Sequence, residues 1–197
     1  MSKHLLAILA FALLAGCATT KSVSNALYDF GPAPAPASAQ VVPLPALVVT
    51  DVSGSAALDT ERMFYRLNYS DPLQARSYAN SRWNATPLQM VTQRFKTRIA
   101  QAGVKVVSAT DASNGIPLLR VEVDDFGHNF DSATQSHGQV VLRASLFQGH
   151  TLVDQKTFSR STDASSADAA GGARALATST DAVAADILAW LAAQPRR

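Results

Sequence analysis

Residues 118–160 read LLRVEVDDFGHNFDSATQSHGQVVLRASLFQGHTLVDQKTFSR, and the alternation in this stretch decides the fold. Across Leu118–Phe126, Leu119, Val121 and Val123 fall on one side while Arg120, Glu122 and Asp124 fall on the other. That period of two belongs to a strand with one buried face. Val140, Leu142, Ala144 and Leu146 share a face in Gln139–Phe147. Gln148-Gly149-His150 is short enough for a tight turn, and Thr151–Arg160 forms the return strand. Strands joined so closely are antiparallel neighbours.

Upstream, Thr86-Pro87-Leu88-Gln89 reads as a capping box with proline at the first helical position. Leu88, Val91, Phe95, Ile99 and Ala102 follow on one helical face, and Gly103 stops the helix. Val104–Ser108 returns as a short strand. Before the helix, Ala46–Val52 is a β-branched run. Glu61–Tyr69 alternates with Met63, Tyr65, Leu67 and Tyr69 on one face, and Gln74–Trp83 makes a further strand after the turn at Asp71-Pro72. Downstream, Leu176, Thr180, Val183, Ile187 and Trp190 mark a last helix from about Ala173 to Ala193, ended by Pro195. The order β-β-β-α-β-β-β-β-α predicts an α+β single domain: a curved, largely antiparallel sheet with two helices on one face.

Composition narrows the class of function. The chain has 197 residues, 47% apolar and 16% charged, with 17 basic and 15 acidic residues and a net charge of +2. So even a balance does not suit binding to nucleic acid by counterion release. One cysteine excludes an internal disulfide and a cysteine-based zinc site.

That cysteine lies at the end of an address. In MSKHLLAILAFALLAGC, Lys3 gives a positive start, Leu5–Leu14 an apolar run, and Ala15-Gly16 small residues before Cys17. Ten apolar residues make about 15 Å of helix, half of a bilayer core, so the segment is a secretory signal and not a membrane span. Leu14-Ala15-Gly16-Cys17 looks like a bacterial lipobox, which implies cleavage between Gly16 and Cys17 and acylation of Cys17. Ala18 stands where aspartate would retain a lipoprotein at the inner membrane, so the expected location is the periplasmic face of the outer membrane. Residues 1–16 are then the signal peptide, 17–40 a lipidated, Pro/Ala-rich tether, and 41–197 the domain. The 24 steps from Cys17 to Val41 would reach about 70 Å in extended polyproline form.

The residues give little sign of catalysis. Asp124 and Asp125 are neighbours on a strand, which directs them to opposite faces. No G-x-S-x-G elbow and no phosphate-binding glycine motif occurs. His128 and His137 flank the segment Asn129–Ser136 and could form a three-ligand metal site with Asp131. Their spacing fits no closed zinc motif, and a polar hairpin tip is the simpler reading. No cofactor and no metal are expected, and the chain reads as a non-enzyme.

The segment Phe64-Tyr65-Arg66-Leu67-Asn68-Tyr69-Ser70-Asp71-Pro72, with Tyr78, Ser81-Arg82-Trp83 and Pro87 after it, resembles the ABC-type transport auxiliary lipoproteins. Tyr65, Leu67, Tyr69, Tyr78, Arg82, Trp83 and Pro87 fall where that family has a Tyr-x-Leu-x-Tyr strand, a tyrosine, an Arg-Trp pair and a proline before a helix. The resemblance covers about Val41–Leu191. It implies a non-catalytic outer-membrane component of an MCE-type lipid transport system, carrying phospholipid or a related apolar lipid. Its partners would be an MCE-domain protein, an ABC permease and an ATPase, and homo-oligomers would be expected. Tyr65, Tyr69, Tyr78, Arg82 and Trp83 are candidates either for the core or for a partner interface, where aromatic residues and arginine are enriched. Two other functions fit the same sequence: a structural lipoprotein of another outer-membrane complex, and a periplasmic lipid-binding carrier.

Overall fold

The computed structural model describes residues 25–35, 46–111 and 115–194. The signal sequence, Cys17 and the segment 36–45 lie outside the described residues. Among the described residues nine strands form one sheet: β1 (Ala26–Tyr28), β2 (Ala46–Val49), β3 (Ser53–Gly54), β4 (Arg62–Leu67), β5 (Asp71–Trp83), β6 (Lys105–Val107), β7 (Leu118–Phe130), β8 (Ser136–Gln148) and β9 (Thr151–Asp163). The helices are α1 (Pro87–Gln101) and α2 (Ala169–Ala192).

The long antiparallel pairs β7–β8 and β8–β9 form as expected, and β4 pairs antiparallel with β5. The architecture is α+β, a single domain, but the sheet is mixed. β7 organises it. One of its edges is filled along its length by β8, and the other is shared by β2 at Leu118–Leu119, β3 at Glu122–Val123 and β4 at His128–Phe130, all parallel to it. β6 extends the sheet beyond β2, and β5 then β1 extend it beyond β4. These parallel contacts join segments distant in sequence, so no hairpin signal marks them.

Both helices cover one face. Leu119, Val121, Val123, Val140, Leu142 and Ala144 are buried against Val91, Phe95, Ile99, Leu176, Val183 and Ile187 in one continuous core. The capping box forms as read: Thr86 Oγ1 accepts from the Gln89 amide, and Gln89 Oε1 accepts from the Thr86 amide. Gly103 has φ +83° after the helix, a conformation open to glycine. Although α2 is long and apolar enough to cross a membrane, it packs along β8 and β9 as a core helix.

Three expectations are corrected. First, the tether is shorter than 17–40. β1 pairs with β5, and Tyr28 and Phe30 pack on the core. Arg94 of α1, buried at 4% exposure, donates to the carbonyls of Phe30 and Gly31, and Arg98 donates to that of Pro34 at 2.8 Å. The Pro/Ala stretch therefore connects β1 to β2, and only nine steps separate Cys17 from Ala26. They span at most about 30 Å, not 70 Å.

Second, α2 starts at Ala169, so Gly171 and Gly172 lie inside it. Asp168 caps it by accepting from the Gly171 amide at 2.8 Å. A Cβ at Gly172 would sit 2.3 Å from His128 Nδ1, and one at Gly138 of β8 would sit 2.6 Å from the Leu176 nitrogen. Close approach of helix and sheet requires these glycines. It outweighs the helix cost of Gly172, about 1 kcal/mol.

Third, a β-bulge between Val123 and Asp125 breaks the alternation of β7. Asp124 and Asp125 at the bulge both border one groove.

Candidate functional site

The aromatic segment divides into three environments. Trp83, the last residue of β5, is 2% exposed and meets Phe30 and Phe126 with ring centroids 6.0 Å away in each case. Its assignment to a partner interface is corrected, because no surface of it remains to be bound. Arg82, its neighbour, points the other way and is exposed.

Tyr65 and Tyr78 form the second environment. Their rings lie 4.6 Å apart, and Tyr65 meets Phe130 edge-on at 5.7 Å. The Tyr78 hydroxyl and His128 Nδ1 share a hydrogen bond of 2.9 Å. His128 is fully buried beneath Gly172, so the hairpin-tip reading fails for it: β7 continues to Phe130 and carries the histidine inside. Burial lowers its pKa to about 4, helped by His137 and opposed by Asp168, so the ring is neutral at pH 7. Burial likewise pushes the Tyr78 phenol up, with Tyr65 adding to the effect. His137 instead bonds Asp131 at 2.8 Å. The three residues read as a potential metal set therefore do not converge.

The third environment is the outer part of the β4–β5 hairpin. Tyr69, in the turn, is 52% exposed and Leu73 is 89% exposed. At the hairpin's base Arg62 and Arg82 face each other across the strands. Like charges so placed are unfavourable. They line a shallow polar hollow of about 480 Å³ with Glu61, Ser77, Tyr78 and Ser81, and neither makes an ion pair among the described residues.

A smaller groove, about 140 Å³, lies between β4 and the bulge of β7, lined by Phe64, Tyr65, Arg66, Asp124, Asp125 and Phe126. Asp125 is raised by burial, an effect opposed by Arg66. Asp124 is held by Arg143 at 3.5 Å. Ligand pockets commonly enclose about 300–1,000 Å³, and this groove falls well below that range.

The sequence reading missed the Tyr78–His128 pair and the Arg94 anchor. Arg94 and Arg98 also flank Asp181 of α2, each at 3.6 Å. Burial raises the Asp181 carboxyl while the two guanidiniums pull it down. A clue was available in the position of Arg94, adjacent to Phe95 on the apolar side of α1.

The fold is shared with solved structures. A Xanthomonas campestris protein of the family model DUF330 has a TM-score of 0.73 at 20% identity, covering 83% of this chain and 93% of that one. A second, an uncharacterized protein, has a TM-score of 0.67 at 15% identity, covering 85% and 99%. A hypothetical protein from Chlamydia trachomatis follows at 0.51 and 8%, covering 76% and 96%. At such identities the likeness concerns the fold alone. No curated protein matches the sequence. The family model for the ABC-type transport auxiliary lipoprotein component matches residues 28–188, beginning in β1 and ending in α2. By that match over most of its length, the chain belongs to the ABC-type transport auxiliary lipoprotein family.

Proposed function

We propose that the mature chain is held by acyl chains on Cys17 at the periplasmic face of the outer membrane, and that it serves there, without catalysis, as the auxiliary lipoprotein of an ABC-driven lipid transporter. An MCE-domain protein, a permease and an ATPase are its proposed partners, phospholipid or a related apolar lipid the cargo, and a homo-oligomer its working form. The family match over residues 28–188 carries the reading. The lone cysteine at the end of an apolar signal, with Ala18 after it, supports the anchor and the choice of membrane. Several acyl chains at about 0.8 kcal/mol per buried CH₂ would make anchoring permanent. A role in docking also suits a fold whose described grooves are small or shallow.

Crosslinking of the full chain in its native envelope tests the partners. Recovery of an MCE-domain protein is expected, and recovery solely of components of an unrelated outer-membrane assembly would overturn the transport role. Cys17→Ala should yield a soluble periplasmic protein and impair the envelope barrier.

A further inference from the structure

We propose that the free end of the β4–β5 hairpin, bearing Tyr69 and Leu73, rests in the same phospholipid surface that receives the acyl chains, so that the sheet stands with its β8–β9 turn facing away. This rests on the lipid-anchor reading given above. It adds an orientation and a second membrane contact to it.

The first support is the direction and length of the chain. β1 runs parallel to β5, with Ala26 opposite Ser81 and Tyr28 opposite Trp83. The polypeptide therefore enters β1 from the side where β5 begins, which is the hairpin end. From Ser81 back to Asp71 the strand covers about 33 Å. The nine steps from Cys17 to Ala26 cover at most about 30 Å. An anchor lying in that direction cannot pass beyond the hairpin tip, so the tip must meet the membrane. Reaching the opposite end would require the chain to reverse on leaving β1.

The second support is what the tip presents. Leu73, near the start of β5, is 89% exposed, and Tyr69, in the turn before it, is 52% exposed. Leucine gains by leaving water, and tyrosine favours the headgroup level, with its ring in the apolar boundary and its hydroxyl wet. Arg66 and Arg76 stand further down the two strands, at the height of lipid phosphates, and form no ion pair among the described residues. Three carboxylates also lie at this end: Asp71 accepts from the Leu73 amide at 3.0 Å, Asp131 is paired with His137, and Asp163, opposite His137 at the end of β9, is exposed.

Two single-tryptophan additions test the orientation in the lipidated full chain. Leu73→Trp reports on the tip. Leu152→Trp, at a 48% exposed position beside the β8–β9 turn, reports on the far end. The native Trp83 and Trp190 are buried and common to both. Each variant is reconstituted in phosphatidylethanolamine–phosphatidylglycerol vesicles with and without dibrominated acyl chains. Brominated lipid should quench the Leu73→Trp protein at least twofold more than the Leu152→Trp protein. Equal quenching, or none at position 73 in a chain that floats with the vesicles and carries the acyl mass, overturns the orientation and leaves the anchor standing. An emission at position 73 that is already blue-shifted without vesicles and is unaffected by bromine would assign the tip to a second copy of the chain. A chain of unacylated mass that fails to float removes the anchor, and the orientation with it.

Discussion

The helix-backed half of the sheet and the β4–β5 arm use strands of similar sequence to opposite ends. In β7 and β8 one face is sealed by α2, which sits so close that Gly138 and Gly172 have no space for a methyl group. In β5, by contrast, nearly all of the first ten residues are open to solvent. The first half is specified by packing within the chain. Burial in this chain does not explain the outer arm, so its exposed side chains are where contacts with other molecules are to be sought. The contrast can be attacked at four points.

The largest effect should come from filling the helix–sheet seam. Gly138→Ala would place a Cβ 2.6 Å from the Leu176 nitrogen and 2.7 Å from the Ala175 carbonyl carbon, both backbone atoms that cannot swing aside. A loss of more than about 3 kcal/mol is expected from overpacking, read as the shift of a denaturant midpoint. Gly127→Ala is the control, since its Cβ would meet nothing nearer than 3.8 Å, and its change should stay within about 1 kcal/mol.

Next is the joint between the arm and the helices. Arg94→Met removes the donor to Phe30 and Gly31 and leaves Asp181 with Arg98 alone. About 2–3 kcal/mol should be lost, less than the roughly 3–5 of a buried pair broken outright, because Arg98 still faces Asp181. If β1 depends on this anchor, amide exchange should accelerate at Asn84, whose N–H donates to the Tyr28 carbonyl at 2.7 Å, before it does in β8.

A third test is acid. With its folded pKa lowered to about 4 from 6.5, His128 binds a proton less readily in the native state than in the unfolded chain. Stability from this residue is therefore complete above pH 6.5 and is lost as pH falls toward 4, by about 2–3 kcal/mol. Urea melts across that window should show the slope, opposed by the raised carboxyls of Asp125 and Asp181, and His128→Asn should remove the His128 part of it whatever its own stability. Asp154 and Asp168, both held low by hydrogen bonds, act below the window and should leave it unchanged.

These residues also show what was legible in the sequence. The period of two in β8 and in the first half of β7, and the capping box of α1, are local patterns, and the structure reproduces them. What escaped was decided at long range. β1 is three residues long, too short to show a period, and it is held by an arginine 64 positions away. Starting the last helix at about Ala173 left Gly171-Gly172 outside it, because isolated propensity disfavours glycine in a helix, whereas the demand for close approach lay in His128, 44 positions upstream of Gly172. In the aromatic segment the residue types were legible but not their roles. Trp83 entered the core, Tyr65 and Tyr78 became half-buried partners of His128 and Phe130, and Tyr69 stayed outside, in the turn beyond the last β4–β7 pair, Leu67 with Phe130.

The smallest effect on stability should come from the tip itself, and there it is most informative. At 89% exposure the Leu73 side chain contributes almost nothing to folding, so Leu73→Asp should shift the denaturant midpoint by less than about 0.5 kcal/mol. The same substitution at Leu142, fully buried in β8, should prevent stable folding, since it buries an unpaired carboxylate. If the arm serves contacts outside the chain, Leu73→Asp should nevertheless weaken the assembled system in cells at unchanged abundance. A carboxylate placed at a lipid surface is repelled by anionic headgroups and gives up the apolar contact, while the fold never registers the change. Measured together, abundance, midpoint and envelope barrier function separate the two halves. Loss of function with stability intact belongs to the arm, and loss of both belongs to the seam.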